Sequence, residues 1–153
     1  MEKHEKGMYL SSIRVALTGT EEIYDHKGDI SYYFYKKNVA RNIDAQAQVD
    51  IDMRTNSINF VSVSYGTPKE LGGGEAINVQ NWNQGVDQLV NIALSNMGEK
   101  EVKSISKPQI LMFFGDETDV CLMDKSESAD NLHYIWEIRI DSDTGKVVSK
   151  HIY

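Results

Sequence analysis

WEIRIDSDTGKVVSKHIY, residues 136–153, alternates apolar and polar positions, breaks at the polar turn DSDTG, and alternates again. A two-residue period on both sides of a short polar break is the pattern of a β-hairpin, and Gly145 supplies the positive φ that such a turn needs. The stretch therefore predicts two antiparallel strands closed by a tight turn.

A weaker copy lies upstream. VDIDMRTNSINFVSVSY, Val49–Tyr65, falls on Trp136–Ile152 without a gap at an offset of 87 residues, bringing Ile51 onto Ile138, Met53 onto Ile140 and Val61 onto Val148. Its turn, RTNSI, has no glycine and must use Asn56, which tolerates positive φ less well. A hairpin used twice is the expectation.

Between the two hairpins, Trp82, Val86, Leu89, Val90, Ala93, Leu94 and Met97 follow helical spacing and form one apolar stripe, with Gly98 where a left-handed cap belongs. Gly85 falls inside this expected helix, at a cost of about 1 kcal/mol relative to alanine. An apolar stripe needs a sheet to lie on. VKSIS, QILMFF, DVCLM, YIWEIRI and KVVSKHIY supply the strands of the second half, separated by Gly115-Asp116, DKSESADN and DSDTG. In the first half, Ile13, Val15 and Leu17 alternate, ISYYFYKK and AQAQVDIDM follow, and TGTEE and DHKGD read as breaks.

The expected organisation is a disordered terminus over residues 1–8, a strand-rich half over 9–66, a connector over 67–76 rich in Gly and Pro, and a helix-plus-sheet half over 77–153. The fold class is α+β, an antiparallel sheet packed on one main amphipathic helix.

Bulk properties remove whole classes of function. The net charge of -7 opposes a phosphate backbone, so no nucleic-acid partner is expected. The longest apolar run, ILMFF at 110–114, is far short of the roughly 20 residues a membrane-spanning helix needs. One cysteine, Cys121, leaves neither an internal disulfide nor a cysteine-based zinc cluster. The opening MEKHEKGMYLSS carries no apolar core of a secretion signal, which leaves two expectations open, a cytoplasmic protein or one whose leader has been removed.

The final hairpin, of the form W-E-x-x-x-D-x-x-T-G-K-V-x-S on Trp136, Glu137, Asp141, Thr144, Gly145, Lys146, Val147 and Ser149, resembles the PepSY domain family when it follows an amphipathic helix and strands. The likeness covers about the last 75 residues, with the first half a degenerate copy. It implies a cystatin-like helix on an antiparallel sheet, no catalytic residues or cofactor, a bacterial protein acting outside the cytoplasm after loss of a leader, and a protein partner such as a peptidase or cell-envelope factor.

The residues themselves offer little chemistry. DSDTG begins like a calcium loop but lacks the later ligands, so no metal is expected there. Asp50 and Asp52 share a strand face roughly 6.5–7 Å apart, the spacing of an acid/base pair and equally of a solvated face. Cys121 between Asp119 and Asp124 is disfavoured as a thiolate and is expected in the core. His133 and His151 approach only if the last hairpin brings them across from each other. SYYFYKK places Tyr33 and Tyr35 on one strand face and Tyr32 and Phe34 on the other.

Two functional readings follow: a non-enzymatic module that binds a protein partner, or a cystatin- or NTF2-like fold with a small-molecule pocket between helix and sheet. The candidate binding residues are Trp82, Trp136, Tyr33 and Tyr35.

Overall fold

A computed structural model of the chain describes residues 7–25, 27–72, 75–77, 84–97, 102–124 and 133–153. The strands are β1 (Tyr9–Thr18), β2 (Asp29–Lys36), β3 (Asp44–Asp52), β4 (Ser57–Gly66), β5 (Pro108–Phe114), β6 (Glu117–Asp124), β7 (His133–Asp141) and β8 (Val147–Ile152). The helices are α1 (Gly19–Asp25), α2 (Pro68–Leu71) and α3 (Val86–Met97). All eight strands join one antiparallel sheet in the order β4-β3-β2-β1-β5-β6-β7-β8. The sheet thus consists of two four-stranded meanders running outward from a central β1–β5 pair.

Alternation decides which side of this sheet is dry. Ile13, Val15 and Leu17 of β1 stand opposite Phe114, Met112 and Ile110 of β5. The same side continues through Val120 and Leu122 to Ile138 and Trp136. All of these are buried, and Leu89 and Ala93 of α3, Ile23 of α1, Val102 and Ile105 close over them. Burial of such side chains is worth about 1.5–3 kcal/mol each, so this layer holds the helices in place.

The expected amphipathic helix forms over 86–97, and Leu89, Ala93, Ile92 and Leu94 pack on the core. Trp82 and Gly98 lie outside the described residues, as do residues 1–6 of the expected disordered terminus. Among the described residues α3 is one of several short helices rather than one main element. Gly85 is not inside it. The Gly85 carbonyl accepts the Leu89 amide at 3.0 Å, and the Gly85 amide donates to Gln88 Oε1 at 2.7 Å, so the glycine stands at the helix start, where it costs little.

Two further segments differ from the sequence reading. GTEEIYD is α1 instead of a break, because Ile23 has a core site to fill and Glu22 accepts the Thr18 amide at 2.6 Å. VKSIS is not a strand: Val102 and Lys103 are helical, and Val102 and Ile105, three apart, are the buried pair. In the expected connector, Thr67 and Glu70 form a reciprocal capping box around α2, with Pro68 in its first turn and Gly72 closing it at φ 79°.

The β3–β4 and β7–β8 hairpins share one plan. Asp52 Oδ1 accepts the Arg54 amide at 2.7 Å, and Asp141 Oδ1 accepts the amides of Asp143 at 3.1 Å and Thr144 at 2.7 Å. Asn56 takes φ 53° and Gly145 φ 72°, as their turns require. Each ladder then slips by one residue, between Asp50 and Ile51 in the first and between Arg139 and Ile140 in the second. Asp52 and Asp141, Asn56 and Gly145, and Ile51 and Ile140 are all 89 residues apart, which sets IDMRTNSI (51–58) on IDSDTGKV (140–147). The offset of 87 is therefore corrected by two residues.

Candidate functional site

The core side of β1 and β5–β7 is filled, so the candidate site is sought on the opposite side of the β5–β8 half. There β6 presents Asp119 and Cys121, β7 presents Glu137 and Arg139, and β5 presents Phe113, because antiparallel registry sets Asp119 beside Phe113 and Arg139, and Cys121 beside Glu137. The ladder slips between Leu122 and Met123, which brings Tyr134 opposite Met123 and swings its ring over this face. The C-terminal Tyr153 is held by its amide, which donates to the Ile135 carbonyl at 3.0 Å.

These side chains surround an open depression of about 260 Å³ lined by Phe113, Asp119, Cys121, Tyr134, Glu137 and Tyr153. The Tyr134 and Tyr153 ring centroids are 6.2 Å apart at 43°, and the His151 ring meets Tyr153 edge-on at 4.8 Å. Tyr153 Oη donates to Glu137 Oε2 at 3.1 Å. Arg139 Nε lies 2.8 Å from Asp119 Oδ1 and 3.5 Å from Glu117 Oε2. Three carboxylates thus face one guanidinium beside three aromatic rings.

The local field is negative, and two acids register it. Burial, then Glu137 and Asp119, push the Cys121 thiol up to about 11. The hydrogen bond to Glu137, followed by burial, raises the Tyr153 phenol. Cys121 is 7% exposed, as expected of a packed cysteine, yet it forms the floor of this depression. As a thiol it is a poor nucleophile.

The expected binding residues do not converge. Trp136 is 1% exposed, on the core side, and its Nε1 has no hydrogen-bond partner among the described residues. Tyr33 and Tyr35 lie on the other side of the sheet, as the alternation of SYYFYKK predicts, in the opposite half. Trp136 therefore cannot share a pocket with them, and Trp82, the fourth candidate, lies outside the described residues. Tyr35 is fully buried, with its hydroxyl on the Asp44 carboxylate, which also accepts the Asn38 amide at 2.8 Å.

A cavity of about 320 Å³ beside that pair is lined in part by Lys37, Asn42, Pro68 and Glu75. Its charged groups already satisfy each other: Lys37 Nζ reaches Glu75 Oε1 at 2.7 Å, and Asp44 is held by Tyr35 and Asn38. It is a structural knot more than a receptor.

Other candidate chemistry resolves into architecture. Asp50 accepts the Gln48 amide group, and Asp52 caps its turn, so the two carboxylates do not act as a pair. Asp141 spends Oδ1 on the turn it closes, including the Thr144 hydroxyl at 2.9 Å. His133 pairs with Asp124, whereas His151 pairs with Glu137, so the last hairpin does not set the histidines opposite each other. Among the described residues no group of three or more His, Cys, Asp or Glu side chains is arranged to hold a metal ion, and no helix is long and apolar enough to cross a membrane.

Comparison with protein-family models, curated proteins and solved structures finds no match to this chain. The aromatic–acidic depression escaped the sequence reading because its residues come from β5, β6, β7 and the C-terminus. A signal is present in the sequence all the same: Tyr134 and Glu137 lie in β7, and Tyr153 follows β8 directly.

Proposed function

We propose that the chain is a non-enzymatic binding module of the PepSY kind that captures a cationic side chain, lysine or arginine, of a protein partner on the open face of its β5–β8 half. One observation carries the reading: Phe113, Tyr134 and Tyr153 surround a depression whose carboxylates are Asp119 and Glu137. Aromatic faces attract cations by about 0.5–1 kcal/mol each at exposed sites, and carboxylates add to that attraction. An open depression of about 260 Å³ on a broad sheet face admits a side chain that projects from a larger partner.

The order α3-β5-β6-β7-β8 and the W-E-x-x-x-D-x-x-T-G-K-V-x-S hairpin support the PepSY resemblance and a cystatin-like second half. The shared turn caps, positive-φ residues and ladder slips support descent of the two halves from one duplicated unit.

Calorimetric titration with a lysine-bearing peptide and its norleucine counterpart tests the reading. The lysine peptide should bind and the norleucine peptide should not. Glu137→Gln should weaken binding about 2–5-fold, the worth of one exposed ion pair. Equal binding of both peptides, or of neither, sinks the reading, and tight binding of a free alkylamine alone would favour a small-molecule receptor.

A further inference from the structure

The two edges of the sheet are unequally protected. β8 carries Lys150 and His151, and Lys150 Nζ donates to the Asn96 carbonyl, which fastens that edge to α3. β4, SINFVSVSYG, has no charged residue in ten positions. On its core side Ile58, Val61, Val63 and Tyr65 are 64, 54, 41 and 63% exposed. A long, uncharged edge with apolar side chains is a ready template for another strand, and proteins ordinarily blunt such edges with charge.

The centre of β4, Val61-Ser62-Val63, reads the same in both directions. Ser62 is flanked by Val61 and Val63, and next by Phe60 and Ser64. Val61 and Val63 share the side of β3 that carries Val49 and Ala47, while Phe60, Ser62 and Ser64 face the other way with Asp50, Gln48 and Gln46. Two antiparallel copies centred on Ser62 would set Val61 of each against Val63 of its partner and Ser62 against Ser62, with every side chain on its proper face. No like charges would meet along the strand. The opposite arrangement, β4 against β8 of the next copy, would leave a free edge at each end and bring Lys150 into the apolar row.

We propose that two copies of this chain pair through β4 about a two-fold axis at Ser62, joining their sheets into one. Pairing across a two-fold uses both β4 edges and closes the assembly.

Sedimentation equilibrium of the whole chain tests this with Ser62→Lys and Ser62→Asp. Each places like charges across the axis, so each alone should weaken dimerisation up to about fivefold, since directly opposed like charges disfavour strand pairing. Ser62→Thr should dimerise like the wild type. A mixture of the Lys and Asp variants should recover the dimer, which also shows that both are folded. A wild-type chain that remains monomeric at submillimolar concentration, variants that dimerise unchanged, or a mixture that stays monomeric overturns the proposal.

Discussion

Gly145→Ala probes the contact on which the second half depends. Gly145 sits at φ 72° in the β7–β8 turn, and a Cβ there would come within 3.0 Å of Ile92 Cδ1 and 3.2 Å of Gln84 Cδ. Gln84 is already tied to the turn, its amide donating to the Ser142 carbonyl at 3.2 Å and its side chain to the Asp143 carbonyl at 3.3 Å. The left-handed backbone alone costs an alanine about 1–2 kcal/mol. Ile92 Cδ1 is the end of a flexible side chain and can yield, so crowding adds less than the backbone does. For a chain of this size each kcal/mol lowers the melting temperature by about 2–4 °C, which predicts a fall of about 2–8 °C by calorimetry or circular dichroism. Gly145→Asn should lose less, because asparagine tolerates this region, as Asn56 does at the equivalent turn. Asn56→Gly should stay within about 0.5 kcal/mol of the wild type. If Gly145→Ala and Asn56→Gly leave stability alike, the turn is not held in the described conformation and the reasoning fails.

Other perturbations have equally definite outcomes. Gly28→Ala would place a Cβ 2.1 Å from the Ala16 carbonyl oxygen, a backbone atom that cannot move aside, so urea denaturation should show a loss of several kcal/mol or no folded protein. Ser142→Ala removes a fully buried hydroxyl that donates to the Gly115 carbonyl at 2.6 Å and meets Thr118 Oγ1 at 2.7 Å; with those partners stranded, the loss should be about 1–3 kcal/mol. The Tyr35 hydroxyl, then the Asn38 amide, hold the Asp44 carboxyl below its ordinary range, so its contribution is present above about pH 4 and is lost as pH falls through the folded value; Asp44→Asn should flatten that acid limb of the urea midpoint. Burial, then the bond to Asp44, push the Tyr35 phenol up to about 12 from 10.0, so its contribution is whole below pH 10 and is lost as pH rises toward 12. Tyr35→Phe should remove that alkaline limb.

Alternation, together with strand-forming composition, located all eight described strands, and Ile13, Val15 and Leu17 of β1 and Ile138 and Ile140 of β7 declare a dry side directly. It failed at VKSIS, where Val102 and Ile105 are three apart and pack as a helical turn. It also missed α1, whose only buried residue is Ile23, too little apolar pattern to register among the polar residues of GTEEIYD. The repeat was visible, but its offset was not. A shift of two residues keeps every side chain on its face, so alternation cannot tell 87 from 89. Turn chemistry can, because Asp52 and Asp141 cap their turns and Asn56 and Gly145 adopt the positive φ.

The binding residues were hardest to read because strand order brings distant segments together. Trp136 and the tyrosines of β2 read alike as candidate binding aromatics, but Trp136 alternates with Glu137 and falls on the dry side, and Tyr35 is buried against Asp44. Tyr134 reaches the open face only because the β6–β7 ladder slips between Leu122 and Met123. A slip of that kind leaves no trace in composition or period.

Amide chemical-shift mapping during titration with Nα-acetyl-lysine amide, whose side-chain ammonium is free, is the most direct test of the binding account. Shifts should concentrate at Phe113, Asp119, Cys121, Tyr134, Glu137 and Tyr153, with Tyr33 and Tyr35 of the other half unmoved. Saturating shifts centred on β2 and β3, or none on the β5–β8 face, would contradict it.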